Sequence, residues 1–145
     1  MFSKSCEYGL RAAIYIAEKS ILKEKVGLKA IANAIDSPEA FTGKILQILT
    51  KNNIVTSVKG PYGGFFIETS DLKKIQLSTI VRVLDGEKIY KGCGLGLKQC
   101  NEKSPCPLHY KFIEIRERLR TMLEQNTLYD VLYTNEIKNT FWLKV

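Results

Sequence analysis

The stretch "VGLKAIANAIDSPEAFTGKILQILTKNNIVTSVKGPYGGFFIET", residues 26–69, decides the fold. Leu28, Ile31, Ala32 and Ile35 recur at helical spacing and mark a short helix. Asp36, Ser37 and Pro38 interrupt it and start a second, with Ser37 suited to the N-cap and Pro38 to the first helical position. Phe41, Ile45, Ile48 and Leu49 give that second helix an apolar stripe. Glu39, Ala40, Thr42, Gly43, Lys44 and Gln47 are left for its other face. Two short helices joined by a tight turn predict a helix-turn-helix, in which small and hydrogen-bonding residues of the second helix approach base edges. Two β-prone runs follow, at 54–58 and 65–69, around a Gly-Pro-Tyr-Gly-Gly turn. A hairpin directly after a helix-turn-helix predicts a wing, with Lys59 and Tyr62 at its tip placed for phosphates or the minor groove.

Upstream, Cys6, Leu10, Ala13, Ile14 and Ala17 form the apolar face of a helix over about 5–19, with Cys6 as a small core residue. Downstream, Leu77, Ile80, Val81 and Leu84 predict a fourth helix closed by Asp85 and Gly86. Leu108, Phe112, Ile115, Leu119 and Met122 then alternate in steps of four and three. That is an a/d seam on an otherwise charged helix starting near residue 107, suited to dimerisation. The tail "NTLYDVLYTNEIKNTFWLKV" predicts a short helix and a last stretch packed on the partner or the core. The expected fold is mainly α with a small β-hairpin, a winged helix-turn-helix followed by a long C-terminal dimerisation helix.

Composition agrees with a folded protein. The 145 residues are 45% hydrophobic and 26% charged, enough for one domain with a core of its own. No apolar run approaches the roughly 20 residues of a membrane span, and the first ten residues lack a secretory h-region. A cytoplasmic protein with reduced thiols and no membrane partner is expected. The net charge of +7 permits a polyanionic partner. Residues 40–67 contain no acidic residue but do contain Lys44, Lys51 and Lys59. With a single histidine set among cysteines, no nucleophile–base–acid set is visible and an enzyme is not expected.

Together these elements resemble the Rrf-two family of bacterial winged-helix transcription regulators, the IscR-, NsrR- and CymR-like proteins. The resemblance covers nearly the whole chain and rests on "EYGLRAAIYIA", "SPEAFTGKILQIL", "SVKGPYGGFFI", the cysteine loop and "NTLYDVL". Lys59 stands where members usually carry arginine; lysine neutralises phosphate but suits a narrow minor groove less well. The resemblance implies a homodimer on double-stranded promoter DNA at a pseudo-palindromic site. It also implies a division into a DNA-binding domain (1–86), a cysteine-containing sensor loop (87–106) and a dimerisation helix with tail (107–145).

That loop, "KGCGLGLKQCNEKSPCPLHY" at 91–110, holds three of the four cysteines and the histidine. In cluster-binding members of the family the loop cysteines hold an iron–sulfur cluster, and Cys93, Cys100 and Cys106 match them. His109 matches the fourth ligand of IscR-like members, and Glu7 matches an acidic residue that other members supply from the partner subunit. Thiolates suit iron–sulfur clusters, either 2Fe-2S or 4Fe-4S, and an imidazole or carboxylate in the fourth place leaves a weaker iron for oxidants or nitric oxide. Gly92, Gly94 and Gly96 would let the backbone bend, and Pro105 and Pro107 would stiffen its far side. Zinc, a thiol–disulfide switch and a loop binding no metal remain open beside the cluster. Gaps of six and five residues between the cysteines are wide for a zinc knuckle.

Overall fold

The computed structural model describes residues 1–98 and 101–133. The chain runs through helices α1 (Lys4–Ile21), α2 (Leu28–Ala34) and α3 (Glu39–Lys51), then the antiparallel strands β1 (Thr56–Val58) and β2 (Gly64–Phe66). Helices α4 (Leu77–Asp85), α5 (His109–Gln125) and α6 (Leu128–Tyr133) follow, with 3-10 turns at Thr69–Asp71 and Lys88–Tyr90. The architecture is the expected one, mainly helical with one hairpin.

Helix α1 is the axis. The Ser3 hydroxyl caps it by accepting the Cys6 N–H at 3.1 Å, and Cys6, Gly9, Ala12, Ala13, Ile16 and Ala17 are buried along it. Around that narrow face α2, α3, α4, α6 and β2 all pack. Ile31, Ile35, Ile45, Leu46, Leu49, Ile80 and Leu128 complete one core. A smaller cluster of Cys6, Val81 and Leu123 joins α1, α4 and α5.

The second helix of the helix-turn-helix starts one residue later than the sequence predicts. Pro38 is its N-cap, with ψ at 133°, and the Pro38 carbonyl accepts the Thr42 N–H at 2.9 Å. Ser37 caps no backbone N–H; its hydroxyl lies 2.8 Å from that of Thr42. The buried stripe is rotated as well. Thr42, Ile45, Leu46 and Leu49 face the core, while Ile48 is exposed. Thr42 is therefore corrected from the outer face to the inner one. Its hydroxyl donates to the Pro38 carbonyl at 2.9 Å, which makes its complete burial tolerable.

The wing strands are shorter than the β-prone runs. Ile54 and Val55 are core anchors whose N–H groups still turn back to the Leu49 carbonyl, and Thr69 already belongs to a 3-10 turn. Val26 adds a one-residue bridge to β2 on the side away from β1, through two hydrogen bonds with Phe65 of 3.1 and 2.7 Å. At the hairpin tip a Cβ on Gly63 would stand 2.0 Å from the Val58 carbonyl oxygen, so the turn closes only around glycine.

Helix α5 begins at His109, with Leu108 as N-cap, two residues after the expected start. Only His109 and Leu123 are buried on it. Of the seam residues, Phe112 and Leu119 are partly buried, whereas Leu108, Ile115 and Met122 are exposed. After α5 the chain returns to the core. Gln76 and Thr127 form a bridge, Thr127 and Asp130 bond each other reciprocally at the start of α6, and Leu128 is fully buried. The last stretch of the tail, 134–145, lies outside the described residues.

Ser20 joins α1 to the wing from inside. Its buried hydroxyl donates to the Ile16 carbonyl at 2.7 Å and accepts the Ile67 N–H at 2.9 Å. Ser20→Ala leaves a buried backbone N–H unpaired. It is expected to lower stability by about 1–3 kcal/mol in urea unfolding followed by circular dichroism.

Candidate nucleic-acid interface and cysteine loop

Glu39, Ala40, Gly43, Lys44 and Gln47 stand along one side of α3 and line a shallow groove, closed on its far side by Leu28 of α2. Pro38, Glu39, Ala40, Lys44 and Gln47 are exposed, and Ser37 and Gly43 are half-buried. Thr42 alone of the residues proposed for the reading face is buried. Leu28 is half-buried, packed against the core on one side and edging the groove on the other. Lys59 and Tyr62 are exposed at the wing tip, Tyr62 at 93%. A large aromatic this bare, beside a lysine, presents an apolar face and a hydroxyl to whatever the wing meets.

Arg11 sets the angle of this unit. Its guanidinium donates to the Ile35 carbonyl at the end of α2 at 3.0 Å and lies 4.7 Å from the centre of the Tyr8 ring. Tyr8 in turn meets Phe41 of α3 edge-on, with ring centres 5.6 Å apart. Sequence periodicity placed none of these three in a functional role.

The cysteine loop lies against α5. Gly92 and Gly96 have φ of 87° and 73°, and a Cβ on Gly94 would fall 2.3 Å from the Phe112 ring. Bending and close approach both demand glycine here. Arg116 fastens the loop, donating to the Gly92 carbonyl and, at 3.2 Å, to that of Phe112. Just before the loop, Arg120 stacks 4.3 Å from the Tyr90 ring and pairs with Glu87, Glu117 and Glu124. Burial raises the Tyr90 phenol above its ordinary range.

Cys93 and Cys106 meet with their sulfurs 3.8 Å apart, Cys106 buried and Cys93 half-buried. Two thiolates on one tetrahedral metal ion, with bonds of ~2.3 Å, would stand about that far apart. The distance is also that of two thiols in ordinary contact. Cys100 lies outside the described residues. His109 is buried one turn after Cys106, whose carbonyl accepts its N–H at 3.0 Å, and its ring meets Tyr110 edge-on and lines a cavity with Tyr90 and Arg116. Glu7 is on α1, 3.1 Å from Lys4 Nζ. Among the described residues no three of His, Cys, Asp and Glu converge as a metal cage. The structure brings two expected ligands together and leaves His109 and Glu7 apart from them.

The Rrf2 family profile, described as an iron-dependent transcriptional regulator, matches residues 2–134. The chain belongs to the Rrf2 family. A provisionally named HTH-type transcriptional regulator of Aquifex aeolicus is 30% identical over 138 residues, 94% of each chain. The NsrR regulator of Oceanobacillus iheyensis is 25% identical, covering 92% of this chain and 90% of its own. Among solved structures, that of CymR, the global cysteine regulator of Bacillus subtilis, superposes with a TM-score of 0.75 at 26% identity, over 94% of this chain and 98% of its own. This Rrf2 protein is accordingly a DNA-binding transcription regulator of winged-helix fold, not an enzyme. Among its described residues no helix is long and apolar enough to cross a membrane.

The fourth cysteine, Cys6, is fully buried on α1. Burial, reinforced by the Asp85 carboxylate, pushes the Cys6 thiol up to about 12. In metal-free, reduced protein at pH 8, iodoacetamide is expected to label Cys93 within minutes and leave Cys6 unmodified until the protein is denatured. Peptide mapping by mass spectrometry reads both.

Proposed function

We propose that this Rrf2 protein is a homodimeric, sequence-specific regulator whose cysteine loop senses iron–sulfur, redox or nitric-oxide status. Glu39, Ala40, Gly43, Lys44 and Gln47 enter the major groove of promoter DNA. Ser37 and Pro38 lie at the helix entrance beside the backbone, and Lys59 and Tyr62 meet phosphates from the wing. Thr42 acts from inside, holding the first turn of α3. The regulator works in the cytoplasm, where the bacterial chromosome is and where thiols stay reduced.

One observation carries the sensory part: the Cys93–Cys106 pair lies in a loop fastened to α5 by Arg116. Cys93, Cys100 and Cys106 would hold an iron–sulfur cluster, with His109 or the partner's acidic residue at position 7 completing the set after the loop settles. When bound, such a cluster supplies an iron that oxidants and nitric oxide can attack. The chain's own part is mechanical. Movement of the thiols reaches α5 through Gly92–Arg116 and the packing of Gly94 on Phe112, and so biases the angle between two DNA-reading units. The separation of 3.8 Å also suits a single zinc ion or an oxidisable thiol pair, which is the second reading.

The dimer rests on α5. Seventeen residues span about 25 Å, yet only His109 and Leu123 are buried while Tyr110, Ile113, Ile115 and Met122 are exposed. Contiguous exposed apolar side chains of this kind mark an interaction surface. A second copy covers it and presents two reading helices to a two-fold site. Sedimentation velocity is expected to show a dimer for the natural protein and a monomer for an Ile115→Glu, Met122→Glu double variant.

Anaerobically purified protein is expected to carry iron and sulfide with visible absorption, both lost in Cys93→Ala; stoichiometric zinc and no colour would select the second reading. On promoter DNA, Lys59→Ala is expected to weaken binding and to lower the slope of log affinity against log salt by about one.

A further inference from the structure

The reading face carries one carboxylate beside one lysine and one amide. Glu39 opens α3, is exposed, and shares its groove with Ala40, Gly43, Lys44 and Gln47. From there to residue 67 the sequence has no other acidic group. Among the described residues, no lysine, arginine or histidine pairs with Glu39 within ion-pair distance, and no hydrogen bond engages its side chain. Its four-residue neighbour is Gly43, which adds no side chain beside it.

A carboxylate here is repelled by every phosphate it nears. Helix-dipole stabilisation accounts for an acidic group in a first turn, worth only a few tenths of a kcal/mol when exposed. It does not account for one on the face that meets a polyanion. What a carboxylate can gain in the major groove is a hydrogen bond from a base-edge amine. The donor it suits is the N4 amino group of cytosine; adenine N6 is served better by an amide, which bonds N6 and N7 together. Guanine and thymine offer only acceptors there apart from the thymine methyl.

Resting on the reading above that α3 lies in the major groove, we propose that Glu39 is a specificity-determining residue, accepting a hydrogen bond from cytosine N4 at one position of each half-site. The carboxylate contributes selection and no general affinity. It rejects guanine and thymine by repulsion from O6, N7 and O4, and it raises the fraction of binding that depends on the correct sequence.

The test uses the full-length protein as purified. Natural protein, Glu39→Ala and Glu39→Gln are each used to select from a library of random duplexes, and dissociation constants are measured for the selected duplex and for a scrambled one. The natural protein is expected to require C·G at one position per half-site, with roughly tenfold or greater loss for any other pair. Glu39→Ala is expected to lose that preference alone and to bind the scrambled duplex at least as tightly as before, which also shows that it is folded. Glu39→Gln is expected to shift the preference toward A·T. A duplex with pyrimidin-2-one, which lacks the N4 amine, in place of that cytosine is expected to weaken the natural protein and leave Glu39→Ala unaffected. Unchanged preference at every position in Glu39→Ala, or indifference of the natural protein to the missing amine, overturns the proposal while leaving the DNA interface intact. Failure of the natural protein to select any sequence overturns both.

Discussion

Five elements close around one helix because that helix is thin. Along its inner face α1 places Cys6, Gly9, Ala12, Ala13, Ala17 and Ser20, with Ile16 the one large residue buried among them. A Cβ on Gly9 would stand 2.2 Å from Leu84 Cδ1, so α4 approaches as near as a backbone without a side chain permits. Larger residues on this face would push α4 away from α3 and spread the core. The helix-turn-helix, the wing and the return of α6 are all referred to this axis: Arg11 holds the end of α2, Ser20 holds Ile67 just past β2, and Leu128 closes the far side.

The same axis connects the two functional regions. At its N-terminus Ser3 bonds Asp85, the last residue of α4, through both its N–H and its hydroxyl. Gly86, with φ of 66°, then turns the chain toward the cysteine loop. A carboxylate at the start of α1 is favoured by the helix dipole as well as by these bonds. The loop therefore departs from a point fixed to α1 and arrives on α5, where Arg116 and Arg120 receive it. Cys93 directly follows the Arg116 anchor at Gly92, and Cys106 lies three residues before α5, so both thiols sit beside fixed points of the chain.

The fold was legible in the sequence where periodicity and turn chemistry agreed. Leu77, Ile80, Val81 and Leu84 with Gly86 predict α4 to the residue, because an apolar stripe and a left-handed glycine stop coincide. Within α3 the stripe was harder to read. Four apolar positions, at 45, 46, 48 and 49, offer two overlapping faces, and Thr42 counts as polar although local hydrogen bonds satisfy its hydroxyl. The result was a face rotated by about one residue, with Ile48 placed inside and Thr42 outside. In the wing, β-propensity marked Ile54 and Val55 as strand, but tertiary burial made them core anchors. The loop cysteines were legible as a group because thiols and glycines clustered. Their pairing was not, since which two sulfurs meet depends on how the glycines bend and on Phe112.

Helix α5 carries an outer face that its own chain leaves uncovered. Its exposed ion pairs, such as Glu114 with Arg118 at 2.8 Å, contribute about 0.3–0.5 kcal/mol each at most. Its contacts to the rest of the chain run through Leu123 and Leu119 at one end and the loop at the other. Between them Ile113, Ile115 and Tyr110 face outward. Arg116, Phe112 and Arg120 tie the inner side of α5 to the segment 87–94, and its outer face is left uncovered. Whatever covers that outer face would act on the helix that carries Arg116, and through it on the seat of the thiol pair. Under the function proposed above, assembly and sensing would be two readings of one equilibrium: a change at the sulfurs would alter how α5 meets a second copy, and that contact would alter the geometry offered to a metal.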